Sequence, residues 1–259
     1  MKYYRDRLDF SSLKPNNIDR IQLEMVPADS RILEIGCATG NLSEYLIQEK
    51  NCEVIAVEAD SSQASVARER GLSVMSGCAD HPDIQAQIDE YVSSHKSFDV
   101  VFMSQVIEHL ADPEAMLLKI HGWLAEDGVL VISTCNIAHW KCRFRLLVGK
   151  WEYEDYGIMD RDHLRFFTLN SFAALLEECG YRIQDSGFSF QDICPYNILF
   201  TFRLLAPSDL LRLIPFVGGS LRSLYTHAAR NLIAPQFVYR AGVRKNEVSR
   251  EKKAAAIHM

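Results

Sequence analysis

From Arg31 onward, short apolar runs alternate with longer amphipathic stretches. This alternation is typical of βα units, in which a buried strand is followed by a helix that packs on the sheet. Five of the runs are apolar or β-branched enough to be strands buried on both faces. They are RILEI (31–35), EVIAVE (53–58), LSVMS (72–76), FDVVFM (98–103) and GVLVIST (128–134). The pattern therefore predicts a doubly wound α/β fold.

Helix-forming stretches fill the intervals between these strands, and Asp112-Pro113 supplies an N-cap followed by proline at the first helical position. Two later runs, 181–190 and 236–243, complete a mostly parallel sheet of seven strands. The predicted helices cover 16–26, 41–50, 61–70, 82–94, 113–124 and 169–179.

The alternation of short apolar runs and amphipathic stretches ends after Thr134, and this change indicates how the chain is divided. We expect a core over 1–190, which includes a lid at 136–167 rich in aromatic and charged residues. The last strand follows at 236–243, and residues 244–259 form a charged, flexible tail. Residues 191–235 are too long and too apolar for a simple strand connection, so we predict a helical insertion there.

Composition narrows the class of protein. Hydrophobic residues make up 48% of the chain and charged residues 24%, as in ordinary globular proteins. The net charge of −6 does not favour a nucleic-acid partner. The seven cysteines include no CxxC pair, so neither disulfides nor a bound metal is expected. No stretch approaches the roughly 20 apolar residues of a membrane span, and we expect a cytoplasmic protein.

The first strand runs into a glycine-bearing turn, Gly36-Cys37-Ala38-Thr39-Gly40, that opens a helix. Glycines at such a turn let the backbone approach a ligand closely. About twenty residues later the second strand ends in Glu58, where a carboxylate can accept hydrogen bonds from both hydroxyls of a ribose. Turn and acid together indicate an adenosine-type ligand more strongly than a purely structural turn. A nicotinamide dinucleotide fits less well, because Ala38 and Asn41 replace two of its glycines.

The segment Glu34-x-Gly36-x-x-x-Gly40 resembles the first motif of the class I S-adenosylmethionine (SAM) dependent methyltransferases. The acid Glu58, the turn 77–80, the segment 104–110 and the segment 124–130 fit the same family in order. The resemblance covers about residues 1–190. It implies a Rossmann-like methyltransferase that uses SAM as its cofactor.

The resemblance also implies which residues contact SAM. Gly36, Cys37 and Gly40 would line its methionine part, with Glu34 near the ammonium group. Glu58 would bind the ribose. The remaining cofactor candidates are Ala59 beside it, Ala79 and Asp80 at the adenine, and Ser104 and Gln105 at the sulfonium. Tyr4 and Arg5 either close over the cofactor or simply pack. Position 78, often aspartate in relatives, is cysteine here, so the adenine contact falls to Asp80 or to backbone groups.

If the acceptor is a hydroxyl, a nearby base should take its proton, and histidine suits that role near neutral pH. His109 follows the fourth strand at the ligand-binding edge of the sheet, where it is either a base or a packing residue. His163 lies in a segment that resembles an H-L-R-F-F-T signature of methyltransferases linked to cell-envelope polysaccharide biosynthesis. In that segment, Arg165 and Phe166 either line an acceptor pocket or anchor the lid. Asn136 is another candidate at the pocket edge.

Several alternatives stay open at this point. The insertion 191–235 is locally basic and apolar, which suits a substrate lid, a homodimer surface, a contact with an anionic membrane or a protein docking site. The acceptor is a small molecule or a lipid- or glycan-linked compound. A nicotinamide-dependent oxidoreductase, or a silent SAM-fold interaction protein, is the alternative function.

Overall fold

The computed structural model describes residues 8–189 and 230–244. Single 3₁₀ turns lie at Phe10–Ser12 and Ile107–His109. The strands are β1 (Arg31–Ile35), β2 (Glu53–Glu58), β3 (Ser73–Ser76), β4 (Phe98–Ser104), β5 (Leu124–Cys135), β6 (Tyr181–Phe188) and β7 (Gln236–Val243). The helices are α1 (Ile18–Glu24), α2 (Asn41–Lys50), α3 (Ser61–Glu69), α4 (Pro82–Ser94), α5 (Pro113–Trp123), α6 (Trp140–Leu147) and α7 (Leu169–Glu178).

All seven strands form one sheet in the order β3-β2-β1-β4-β5-β7-β6. Strands β1 to β5 pair in parallel, whereas β7 runs antiparallel to both β5 and β6. The predicted doubly wound, mostly parallel sheet of seven strands is therefore confirmed.

Both faces of the sheet are covered, which explains why its strands are apolar along their whole length. On β1, Ile32 packs into the apolar cluster that contains α1, while Leu33 and Ile35 pack into the opposite cluster under α4, α5 and α7. The same alternation holds on β4 for Phe102 and Met103. Each cluster must be shielded from water, so neither face of the sheet can lack helices.

The order of the strands reverses between β1 and β4. From β1 the chain builds outward through β2 and β3, and it then returns to place β4 and β5 on the other side. In open α/β sheets, ligands bind in the crevice outside the carboxyl ends of the strands at such a reversal. The fold therefore places the glycine turn after β1 and the segment after β4 side by side.

Most element ends lie within two residues of the predicted ones, and two differences are larger. Strand β5 begins at Leu124 rather than at 128, because Leu124 ends α5 and pairs directly with Phe98 of β4. The region 136–167 contains a helix, α6, that the aromatic and charged composition did not reveal. Its exposed residues include Phe144 and Leu147, so these apolar side chains do not pack against a core.

Most of the predicted insertion, 191–229, lies outside the described residues, as do Tyr4, Arg5 and the tail from 245. Residues 230–233, at the end of the insertion, are helical. A search of ranges 8–189 and 230–244 finds no helix long and apolar enough to cross a membrane.

Candidate functional site

The turn after β1 can be built only around glycine at position 36. Gly36 has φ +79°, and a Cβ atom there would lie 2.3 Å from Cγ2 of Val106. Val106 belongs to the segment that follows β4, so the turn rests against the neighbouring strand end. Gly40 has φ +82° and precedes α2, where a Cβ atom would lie 2.1 Å from Leu72 Cδ1. Both glycines are therefore needed for close packing, and at Gly36 the Val106 side chain fills the space that a side chain would take.

Ala38 lies between these glycines with φ +51°, in the left-handed region that side chains disfavour. We expect Ala38→Gly to stabilise the protein by about 1 kcal/mol, because the relieved strain of about 1–2 kcal/mol exceeds the entropy cost of about 0.4–1 kcal/mol. Urea unfolding at constant pH measures this change. The control Ala59→Gly replaces an exposed residue with ordinary φ and should be destabilising, and a destabilised Ala38→Gly variant would contradict the prediction.

Glu58, the last residue of β2, accepts hydrogen bonds from the turns that follow β1 and β3. Its Oε2 accepts a hydrogen bond from Ala38 N at 2.7 Å, and its Oε1 accepts one from Asp60 N at 2.9 Å. Its backbone oxygen accepts a third from Gly77 N at 2.9 Å. A carboxylate oxygen offers two lone pairs, so each can still accept a hydroxyl. Ala59, the next residue, is exposed.

Glu34 lies in the interior of the same region. It is buried and accepts a hydrogen bond from Ser43 Oγ of α2. Burial, with a smaller contribution from the charge of Glu58, raises the pKa of Glu34 to about 7. An ionised Glu34 is therefore costly without a cation, and the ammonium group expected next to it would supply one.

This buried carboxyl makes the stability of the protein depend on pH. Because its folded pKa lies above the value of 4.5 for the free side chain, the folded state holds a proton that the unfolded state has lost. Stability should fall as pH rises from about 4.5 to about 7, by up to about 3 kcal/mol for this group. Glu34→Gln should remove that part of the slope in urea unfolding measured from pH 5 to 8. Exposed Glu49→Gln is the control, and identical slopes for wild type and Glu34→Gln would refute the expectation.

The turn after β3 contributes the residues predicted to contact adenine. Ala79 is buried, whereas Cys78 and Asp80 are exposed. Gly77 brings this turn against Glu58 through its backbone bond. Cys37 of the glycine turn is buried, which holds the pKa of its thiol well above the usual range.

The segment after β4 is held by a polar network. Ser104 Oγ accepts a hydrogen bond from Gln22 Nε2 of α1 at 2.8 Å. Gln105, with φ +56°, donates from Nε2 to Ser133 Oγ at 3.0 Å. Its Oε1 accepts from Gln236 Nε2 at 3.0 Å and from Cys135 Sγ at 3.2 Å. These side chains fix the floor of the crevice by joining α1, β5 and β7.

The two candidate histidines lie together at this edge. The rings of His109 and His163 are 4.8 Å apart in an edge-to-face arrangement. His109 is half-buried with Nδ1 3.1 Å from the carbonyl of Asp162, and His163 is buried. Glu108, next to His109, is also buried, which raises its pKa to about 7. The lid thus brings His163 next to His109, although the two residues are 54 positions apart in the sequence.

The other predicted acceptor residues have different surroundings. Asn136 is fully buried, and both hydrogens of its amide go to the backbone oxygens of Asn231 and Ala234. Arg165 is exposed and donates to the backbone oxygen of Ala111. Phe166 is half-buried with its ring 5.4 Å from that of Trp151. These contacts give Asn136 a structural role, and they leave only Arg165 and Phe166 near the surface of the lid.

A cavity of about 460 Å³ opens beside the lid, within the size range of small-molecule sites. Its walls come from the start of α1, from β5 and α6, from the lid and from the start of β7. Cys135 and His139 are among the lining residues, with Arg145, Ile158 and Gln236. Burial lowers the pKa of His139 to about 4, so its ring is neutral at pH 7.

The described residues around the glycine turn fit the adenosine-type ligand predicted for them. Each carboxylate oxygen of Glu58 accepts one hydrogen bond and keeps a second lone pair for a ribose hydroxyl. Thr39 Oγ1, in the same turn, is buried without a hydrogen-bond partner among the described residues. A bound polar group would satisfy it.

The model of a methyltransferase domain family matches residues 5–186. The chain belongs to this methyltransferase family. Among its curated relatives are ubiquinone biosynthesis O-methyltransferases from Xanthomonas axonopodis pv. citri and Xylella fastidiosa, at 28% and 29% identity over 183 residues each. The alignments cover 70% of the methyltransferase described here and 74% and 72% of those relatives.

Solved structures agree on the fold. A SAM-dependent methyltransferase from Thermotoga maritima superposes with a TM-score of 0.53 at 18% identity, covering 88% of this chain and 87% of that one. Phosphoethanolamine N-methyltransferase 2 from Haemonchus contortus, solved with SAM, gives 0.52 at 15% identity, covering 88% and 52%. These structures show the fold, and the family match confirms the methyltransferase class, for which SAM is the expected cofactor.

Two residues of this methyltransferase, Cys135 and Glu108, are not among the candidates predicted from the sequence. No local spacing pairs them, since Cys135 ends β5 and Glu108 lies in the turn after β4. The available signal was that both positions lie at the carboxyl edge of the sheet.

Proposed function

We propose that the protein transfers a methyl group from SAM to a hydroxyl oxygen. The observation that carries this proposal is the meeting, at one sheet edge, of the glycine turn, Glu58 and a pair of histidines. The curated relatives, whose names describe O-methyltransferases, support oxygen as the acceptor atom.

In this proposal the cofactor lies along the carboxyl ends of β1, β2 and β4. Its ribose hydroxyls donate to Glu58, and its ammonium group lies near Glu34. The methionine part follows the turn Gly36-Cys37 to Gly40. Adenine lies beside Ala59, Ala79 and Asp80, and the sulfonium faces Ser104 and Gln105.

Methyl transfer from a sulfonium is an in-line displacement, so the protein mainly has to align the acceptor and exclude water. Bound SAM would supply a methyl group on a positively charged sulfur. Attack by the acceptor oxygen would form the oxygen–carbon bond as the carbon–sulfur bond breaks, with the electron pair left on sulfur. We assign the proton of the acceptor to Nε2 of His109. When Nδ1 of that ring donates to the carbonyl of Asp162, the lone pair is on Nε2. His109 is half-buried and His163 buried, which favours His109 for contact with a substrate.

For the acceptor we propose a small or lipid- or glycan-linked hydroxyl compound that enters through the 460 Å³ cavity. The H-L-R-F-F-T segment supports the envelope-polysaccharide class, with Arg165 pairing to a carboxylate or phosphate of the substrate. The insertion 191–235 belongs to this proposal as a lid, a dimer surface or a contact with the cytoplasmic face of a membrane.

Calorimetry with SAM and with NADH tests the cofactor, and transfer of a labelled methyl group to a panel of hydroxyl compounds tests the reaction. The proposal requires binding of SAM but not of NADH, and label in at least one acceptor. NADH binding without SAM binding would favour the oxidoreductase. Tight SAM binding without transfer to any acceptor would favour the silent interaction protein.

A further inference from the structure

We propose that Glu108, Cys135 and His163 form a binding site for a zinc-type divalent cation with three protein ligands. One potential ligand atom from each residue lies within 4.8 Å of the other two. The residues come from three separate segments: the turn after β4, the last residue of β5 and the lid. This goes beyond methyl transfer, and it departs from the expectation of no metal.

The donor set is the one that Zn²⁺ prefers. A thiolate sulfur, an imidazole nitrogen and a carboxylate oxygen are its usual ligands, whereas Mg²⁺ and Ca²⁺ take oxygen alone. Bonds of about 2.0–2.3 Å in a tetrahedron place ligand atoms about 3.3–3.8 Å apart. The observed limit of 4.8 Å therefore requires only small side-chain shifts.

Glu108 supplies an independent sign of a missing ligand. Its side chain is 1% exposed, and neither carboxylate oxygen makes a hydrogen bond of good geometry with the described residues. The Thr134 hydroxyl and the backbone near Cys135 lie close enough to lower its pKa, but they do not offset the effect of burial. Leaving a buried carboxylate without a partner is costly, so proteins rarely do so without a function. A cation bound by both buried oxygens or by one of them would offset that cost.

The surroundings of His163 have the form of a metal site. Its Nδ1 lies 3.1 Å from the carbonyl oxygen of Ile158. A metal-binding histidine commonly donates its other ring hydrogen to such a carbonyl, which fixes the tautomer and the ring orientation. Leu164 N and Arg165 N donate to the backbone oxygen of Glu108 at 2.9 and 3.0 Å. These bonds hold the lid, which carries His163, against Glu108, another of the three proposed ligands.

Cys135 connects the cluster to the cavity. It lines the cavity wall, and its thiol donates to Gln105 Oε1. On metal binding the Zn–S bond forms, and the thiol proton is released to solvent. Three protein ligands leave the fourth position of a tetrahedral zinc for water or an oxygen of the acceptor, as in catalytic zinc sites.

The test uses the full chain carrying Cys78→Ser, which removes an exposed thiol. After chelator treatment, Zn²⁺ is titrated by calorimetry, and Co²⁺ is followed by its thiolate charge-transfer absorption. We expect one ion per chain and a charge-transfer band. Cys135→Ser should abolish the band, and Cys135→Ser, His163→Gln and Glu108→Gln should each weaken Zn²⁺ binding at least tenfold. Cys142→Ser, a buried cysteine that lines the same cavity, should change neither.

Absence of binding in the parent chain overturns the proposal, as does unchanged Zn²⁺ affinity in both Cys135→Ser and His163→Gln. Circular dichroism identifies a variant that fails to fold, and the two remaining variants then decide. SAM binding, measured on the same samples, distinguishes failure of this proposal from failure of the proposed methyl transfer, because neither result depends on the other.

Discussion

Glu58→Gln is expected to lower the affinity for SAM by about 100-fold. Hydrogen bonds to a charged group contribute about 1.5–3 kcal/mol each, and every 1.4 kcal/mol is a factor of ten. The amide also brings an NH₂ group to a place where Ala38 N or Asp60 N already donates. The substitution would therefore disturb the glycine turn after β1 as well as remove an acceptor for the ribose hydroxyls. Calorimetry with SAM measures the change.

Glu53→Gln is the matched control, because Glu53 opens the same strand at its opposite end and is exposed. It should bind SAM as the wild type does. Full affinity in Glu58→Gln, in a folded protein, would mean that the ribose contact is made elsewhere.

His109→Gln should lower kcat by about 10²- to 10⁴-fold, the usual contribution of a general base. Affinity for SAM should stay within a factor of two to three, since the ring lies beyond the proposed cofactor contacts. Steady-state rates with an acceptor found in the labelling panel measure kcat, and calorimetry measures the affinity for SAM.

His95→Gln controls for the loss of an imidazole, since His95 follows α4 at the other end of the sheet. If, in protein freed of metal by chelation, kcat survives in His109→Gln but falls in His163→Gln, the roles of the two histidines are reversed.

Much of the framework could be predicted because its signals are local. A strand buried on both faces is apolar throughout, and a helix start needs a cap, so the order of elements follows from short windows of sequence. The glycine turn is equally local: Gly36 occupies a conformation and a space that no side chain fits. Strand β7 has the predicted bounds, 236–243, because Pro235 precedes it and the charged residues 244–245 follow it.

The remaining parts of the site depend on contacts between distant segments. Asn136 has the appearance of a pocket residue in sequence, yet its amide is used to hold Asn231 and Ala234. Cys135 becomes significant only when the lid brings His163 to it, 28 positions away. Periodicity contains no information about which loop folds over which strand end.

The most direct test of the cofactor site is a crystal structure of the full chain with S-adenosylhomocysteine. We expect ribose hydroxyls within hydrogen-bond distance of Glu58, the amino acid part along Gly36 to Gly40, and the sulfur facing Ser104 with His109 beyond it. A product molecule bound away from the ends of β1 and β2, with Glu58 contacting only the protein, would contradict this expectation.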